Sequence, residues 1–465
     1  MKSFGDGQSP SRLRVLVLML LVLGGCAIHP PYQRPDVALP AAWQGAPTPG
    51  DAASVSPQSA WWEAFNDAGL NEIEQSVQEG NYSLKAAAGR IRQARAVTRI
   101  VAAEHFPFVS GSIGAARSSR LSGADGVNAF DAKVSAAYEP DLWGRVQNLD
   151  QSAEAGLAAT QEAERAAALS LASDAAGLYF QLAALNQRIQ LARNSITLGE
   201  RIDAVIQTRH RAGAVSGLDR AQSRTNLANI RAALPALLQA RRETLNGLTI
   251  LAGKPPGALA LNPPPLDRVA LPERLQVGLP SDLLQRRPDI RLAELNLIAA
   301  HADIGVARAN LFPALKLTAA GGFTSGQLTD LLKSSSSFLD LGAALLAPIF
   351  QGGRLRAEVE RARGRHEELL QLYRQTILEA LRDVENALVA LEQLGEQEKE
   401  QQEASTEANR AFALAELRYR SGLTDTLNLL TAQNTWLNTQ NAVVQTRFAR
   451  VNAMVSLYKA LGGGW

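Results

Sequence analysis

Apolar residues in two long stretches step by four and three: Leu178, Leu182, Leu185, Ile189, Ala192 and Ile196 in one, Ile377, Leu381, Val384, Leu388 and Leu391 in the other. That spacing lays them along one helical face, as in a coiled-coil seam. No proline interrupts residues 145–211 or 353–420. Each stretch therefore predicts one continuous helix, which at ~1.5 Å rise per residue spans ~100 Å. Such a helix reaches across a compartment rather than filling a compact domain. Ahead of each long helix the period falls to 2. Phe130, Ala132, Val134, Ala136 and Tyr138 alternate with Asp131, Lys133, Ser135, Ala137 and Glu139, giving one face suited to lipid and one suited to water. Pro107 to Arg120 supplies the partner strand across a Gly/Ser/Asp/Asn-rich tip, Ser122 to Asn128, so a β-hairpin is expected over about 106–140.

The same plan recurs. Phe106-Pro107 returns as Phe312-Pro313, Pro140 as Pro348, Gly144-Arg145 as Gly353-Arg354, and RHRAGAVSGLD from Arg209 as RYRSGLTDTLN from Arg418. Arg145 to Gly213 and Arg354 to Gly422 are both 68 residues, and a spacing kept over that length implies regular structure rather than loops. In the second copy Leu315, Leu317 and Ala319 alternate on one strand and Phe338 to Leu346 forms the other, a hairpin over about 312–348. The expected organisation is a signal segment at 1–25, an extended N-terminal segment at 26–66, a first copy at 67–252, a linker with seven prolines at 253–280, and a second copy at 281–465 that ends in a C-terminal helix. Pro288 and Asp289 open a helix, where a missing amide hydrogen is harmless and a carboxylate meets the positive dipole end.

Two hairpins provide only four strands, too few to close a barrel, and a membrane-spanning sheet tolerates no open edge. The fold class is therefore mainly α with a transmembrane β-barrel portion to which several chains contribute. Asp131, Lys133 and Glu139 fall on the water-facing side, as candidate residues of the barrel lumen. If the hairpins were soluble, their apolar faces would instead pack on the helices.

Composition adds location and excludes several functions. Lys2, Arg12 and Arg14 precede nine apolar residues from Val15 to Leu23, then Gly24, Gly25 and Cys26, the only cysteine. This is a secretory signal peptide, too short to span a bilayer as a mature helix. Its end resembles a bacterial lipobox, which implies cleavage before Cys26 and acyl and diacylglycerol groups on that residue; alanine at position 27 favours the outer membrane in that resemblance. No transmembrane helix is expected beyond the signal. Residues 26–465 carry 44 charges of each sign, nothing that points to nucleic acid. No nucleotide loop or HExxH occurs, and the five histidines are scattered at 29, 105, 210, 301 and 366. Neither catalysis nor a cofactor or metal is expected beyond the acyl groups. Met454 is the only methionine after the signal, so a relay of soft ligands for Cu(I) is absent and organic cargo is favoured. Trp61, Trp62 and Trp143 are expected in packing roles, and Arg286 and Arg287 as anchors of a helix start.

Together these residues resemble the outer-membrane efflux lipoproteins, the TolC-like, OprM-like channels of the NodT subgroup. The resemblance rests on CAIHPPYQRP from Cys26, GLPSDLLQRRPDI from Gly278, YEPDLWGRV from Tyr138, APIFQGGRL from Ala347 and LYKALGGGW from Leu457. It implies a homotrimer with a pooled β-barrel in the outer membrane and a helical tunnel in the periplasm. It also implies passive export of cargo delivered by a periplasmic adaptor and an inner-membrane pump, nearer to partners of proton-driven RND pumps than of ABC pumps. The family's periplasmic gate maps onto the turns after the long helices, with Arg209, Arg211 and Asp219 in the first copy and Arg418, Tyr419, Arg420, Asp425 and Leu427 in the second. Tyr419 matches a tyrosine that helps hold that gate closed, whereas Thr431 stands where relatives carry an aspartate. Asp219 or Asp425 is expected to supply the acidic ring instead, with Arg211 or Arg420 as partner. The competing reading is a non-conducting periplasmic coiled-coil tether or adaptor, which would need neither a repeat nor strands.

Overall fold

The computed structural model describes residues 30–44, 60–119, 126–271 and 277–463. The signal segment, Cys26 and the start of the first hairpin tip lie outside the described residues. Among the described residues, seven long helices and four strands follow in order: α1 Ala68–Gly80, α2 Tyr82–Ala102, β1 Phe108–Ser118, β2 Val127–Tyr138, α3 Arg145–Arg211, α4 Gly217–Leu251, α5 Pro288–Ala309, β3 Ala314–Ser325, β4 Ser337–Leu346, α6 Arg354–Arg420 and α7 Thr426–Ala460, besides the single-turn helix Leu283–Arg286 and shorter turns. The duplication is written in the lengths. The two long helices α3 and α6 each have 67 residues, and α4 and α7 each have 35. Both long helices end at glycines with φ of 72° (Gly213) and 74° (Gly422), the left-handed conformation that stops a helix and that a Cβ disfavours.

The strands form one antiparallel sheet in the order β1-β2-β3-β4. Each hairpin pairs internally, and β2 pairs with β3, so the sheet joins the two sequence copies, for example through Ala132 opposite Phe323. Its two faces differ as the alternation requires. Val109, Ile113, Phe130, Val134, Leu317, Phe323, Leu339, Leu341 and Leu345 share one face by register. Ile113 and Leu341 there are 88% and 78% exposed. This apolar face packs on no helix, which removes the soluble-hairpin alternative.

The chain divides into two compact units that do not follow the two copies. One comprises the described residues of Met1–Asp36, Gly89–Gln161 and Leu292–Arg374, the other those of Val37–Ala88, Glu162–Arg291 and Gln375–Trp465. Each takes part of both copies because α3 and α6 run through both. In the first unit the extended N-terminal segment is fixed by Arg34, which donates two 2.6 Å hydrogen bonds to Glu294, and by Pro30, whose carbonyl lies 2.9 Å from Nε2 of His301. Trp143 stacks on Phe312 at 4.9 Å and donates to the Pro313 carbonyl. The second unit holds the main core. Trp61, Trp62, Phe65, Leu70, Ile73 and Val77 pack against Tyr179, Phe180, Leu182 and Ala183 of α3 and against Val451, Met454 and Val455 of α7. One stretch of α3 is apolar enough to cross a bilayer by composition, contrary to the expectation of none beyond the signal, but 61% of it is buried in the protein. Its apolar residues serve this core.

Candidate functional site at the paired helix turns

The residues expected at the gate gather where α3 turns into α4 and α6 into α7, all within the second unit. Arg209, in the last turn of α3, places its guanidinium 4.5 Å from the Tyr419 ring centroid. Its Nη2 also donates at 2.9 Å to the Arg420 carbonyl. That carbonyl is one of the last of α6 and has no partner within the helix, so the arginine satisfies it and complements the negative dipole end. Tyr419 is 3% exposed and sits among Leu198, Ile202, Ile206, Phe412, Leu429 and Leu430. The cation-π contact is thus partly desolvated, a setting worth roughly 0.5–2 kcal/mol.

Within one copy both acids cap helices. The Asp219 carboxylate accepts hydrogen bonds from the Ser216 hydroxyl at 2.6 Å and the Ser216 amide at 2.8 Å, while Ser216 Oγ accepts from the Asp219 amide. This reciprocal capping box starts α4. Hydrogen bonds from the Ser216 side chain and backbone, and from Thr426, hold the Asp219 carboxyl below the usual carboxylate range. Asp425 caps α7 by accepting from the Asn428 amide at 2.8 Å. Neither acid pairs with Arg211 or Arg420. Arg420 pairs with Glu416 one turn back, and Arg211 and Arg418 are exposed with no ion pair among the described residues. The physical reason is local: a short acid just before or inside the first helical turn is captured by orphan amides before it can serve a more distant cation.

Thr426 is the residue that sequence reasoning missed. It is buried, and its hydroxyl donates to that of Tyr419 at 3.4 Å. Arg209, Tyr419 and Thr426 therefore form one chain of contacts through the ends of α3 and α6 and the start of α7. Further along, Asn226 of α4 donates at 3.0 Å to Gln433, a fully buried side chain of α7, and Ser223 donates to Asp203 at 2.7 Å. Ser216 three residues before Asp219 was readable as a capping box; the links across some 200 residues had no local signal. Leu427 and Thr431 are both exposed, the former beside Leu218 and Leu423 among the exposed apolar residues of these turns.

Of the lumen candidates, Asp131 and Lys133 lie on the polar face of the sheet, and Glu139 follows the end of β2. Asp131 and Lys133 share that face of β2 and pair at 3.6 Å. Glu139 joins Arg145 at 3.2 Å, and Arg145 also reaches Glu104 at 2.9 Å. Among the described residues no cluster of three or more metal-ligating side chains occurs.

Residues 74–254 and 279–463 match the family described as outer membrane efflux protein, one segment in each copy. The chain is 39% identical over 462 residues to the pyoverdine export outer membrane protein OpmQ of Pseudomonas aeruginosa, covering 97% of this chain and 96% of that protein. It is 35% identical over 461 residues to the toluene efflux pump outer membrane protein TtgI of Pseudomonas putida, covering 96% and 97%. Among solved structures, the outer-membrane channel OprN superposes with a TM-score of 0.88 at 30% identity, covering 95% of this chain and all of that one. The CmeC outer membrane channel of Campylobacter jejuni gives 0.88 at 26%, covering 95% of each.

Proposed function

Since the chain belongs to the outer membrane efflux protein family, we propose that three copies form the passive exit duct of a tripartite pump, anchored through lipid on Cys26 and closed at its periplasmic end by the contacts around Tyr419. The chain is an outer-membrane efflux channel that works with pumps, a transporter rather than an enzyme. The observation that supports a barrel pooled from several copies is the sheet itself: four strands, two edges unpaired among the described residues and an apolar face that no helix covers; the number three is what the family resemblance implies. A tether would leave that face in water, where so large an apolar surface is unstable. An inner-membrane pump, of the RND type by resemblance, supplies the work, and a periplasmic adaptor meets the turns, where Leu218, Leu423 and Leu427 offer apolar surface. Cargo is organic, since the relatives named for pyoverdine and toluene export carry organic compounds.

The native mass of detergent-extracted protein from a density-separated membrane fraction tests the assembly. A trimer from the outer-membrane fraction is expected; a monomer from the inner membrane would restore the tether. The gate is tested in planar bilayers. Arg209→Ala removes both the stacking on Tyr419 and the cap on α6, so the resting conductance should rise several-fold. Arg211→Ala, which removes an exposed side chain, should leave it unchanged, and equal effects would take the contact chain out of gating.

A further inference from the structure

Among the described strand residues on the apolar face of the sheet, Arg117 carries the only charge. The other charges of the strands, Asp131, Lys133, Lys316 and Asp340, stand on the opposite, polar face. A guanidinium stays protonated in any protein surroundings, and on a lipid-facing strand a cation is tolerated near the edges of the bilayer rather than at its middle.

Connectivity and length place Arg117 at such an edge. The chain enters β1 from α2 and leaves β2 into α3, so the hairpin tip beyond Arg117 is the end away from the helices and faces the outside of the cell. Phe108 pairs with Ala137, which puts Tyr138, on the apolar face, one position below that pair and Arg117 nine above it. Ten steps of ~3.4 Å on strands tilted by ~40° rise ~26 Å, and the apolar band of membrane barrels is ~25 Å tall. Tyr138 therefore marks the inner rim, where an amphipathic ring favours the interface. Arg117 lies at the outer rim, level with the headgroups.

Its surroundings leave the guanidinium without an anion. Arg117 is exposed and makes no ion pair among the described residues, its cross-strand neighbour is the neutral Asn128, and the strands' acids are on the other face. A Cβ added to Gly126 would come within 2.8 Å of Arg117 Nε, so the side chain lies across a backbone that has no side chain to displace it. Directly toward the membrane interior on the same face come Ala115, Phe130 and Ile113, all apolar. We propose that Arg117 binds a phosphate group of an outer-leaflet lipid, whose acyl chains run down this apolar strip. The planar fork of the guanidinium matches two phosphate oxygens. A phosphate without acyl chains would gain nothing from the strip below, which selects the lipid as the source. The inference rests on the sheet crossing the outer membrane and adds one lipid site to each copy.

Titration of labelled lipid A, which carries phosphates, into the full-length protein in detergent tests the site. Affinity should fall at least five-fold in Arg117→Gln, recover in part in Arg117→Lys, and stay unchanged in Lys316→Gln, whose site is on the polar face. Dephosphorylated lipid A should bind the parent no better than lipid A binds Arg117→Gln. Equal affinity of Arg117→Gln and the parent, or of the two lipids, would overturn the proposal. Displacement of the lipid by millimolar inorganic phosphate would overturn it too, by showing a site for the bare anion. Native mass on the same samples separates this inference from the duct: a trimer that binds lipid without regard to phosphate leaves the duct standing, whereas a monomer overturns both.

Discussion

Replacing Glu74 with Gln stabilises the protein at pH 7 by about 3 kcal/mol and abolishes a loss of stability that the parent shows as pH rises. Glu74 lies on α1 among Leu70, Ile73 and Val77, fully buried, and neither carboxylate oxygen has a hydrogen-bond partner among the described residues. Burial pushes its carboxyl up from 4.5 to about 9, since an isolated charge is strongly disfavoured in an apolar interior. The folded chain therefore keeps a proton that the unfolded chain releases above pH 4.5. Between the two values folding must take up that proton, and each pH unit costs about 1.4 kcal/mol. The penalty is absent below the unfolded value, about 3 kcal/mol at pH 7, and levels off above the folded one. Gln keeps the shape and the neutral polar group but has no proton to lose. Thermal unfolding midpoints in detergent at pH 5, 7 and 8.5 check this. The two proteins should differ least at pH 5 and diverge as pH rises, and parallel curves would show that Glu74 finds a partner when ionised.

Glu74 was not singled out in the sequence, although its signal was there. Positions 70, 73, 74 and 77 are spaced to form one helical face, so an acid at 74 sits in an apolar stripe before any coordinates are seen. The repeat was legible for a similar reason: a 68-residue spacing preserved twice leaves little room for irregular structure, and the two long helices came out equal in length. The period-2 alternation located β2 and its two faces. Its pairing with β3 was not readable, because strands of different hairpins carry no turn between them to announce their adjacency. The turns show the same division. Arg209 and Tyr419 were singled out through the family resemblance, yet the arginine's targets are an aromatic face and a backbone carbonyl more than 200 residues away. A local pattern identifies a charge; it does not identify what a folded chain brings to it. Asp219 and Asp425 cap their own helices, and within one copy neither pairs with the arginines expected for them.

Arg286 and Arg287 are neighbours of one residue type, and substituting each with Ala separates a surface charge from a buried anchor. Arg287 is 8% exposed. Its guanidinium holds both Asp289 oxygens, at 2.6 and 3.0 Å, approaches Asp383 at 3.4 Å, and donates at 3.1 Å to the carbonyl of Ala460, the last residue of α7. Burial opposes its charge, but Asp289 and Asp383 more than offset that, so the side chain is held protonated even more firmly than usual. One residue thus ties the start of α5 to α6 and to the end of α7. Arg287→Ala leaves Asp289 without its cation, Asp383 with only Arg382, and a helix-end carbonyl without its donor; because both carboxylates are more than a third exposed, the loss is roughly 1.5–3 kcal/mol, the worth of hydrogen bonds to a charged group. Arg287→Lys keeps the charge but not the fork that grips Asp289 with two parallel bonds, so it should recover only part of the loss. Arg286 reaches only Asp282, at 3.6 Å and partly in solvent, and Arg286→Ala should cost under about 1 kcal/mol. Thermal unfolding of the three variants ranks them. If Arg286→Ala matched Arg287→Ala, the stabilisation would come from the positive charge of this segment as a whole rather than from the contacts of Arg287.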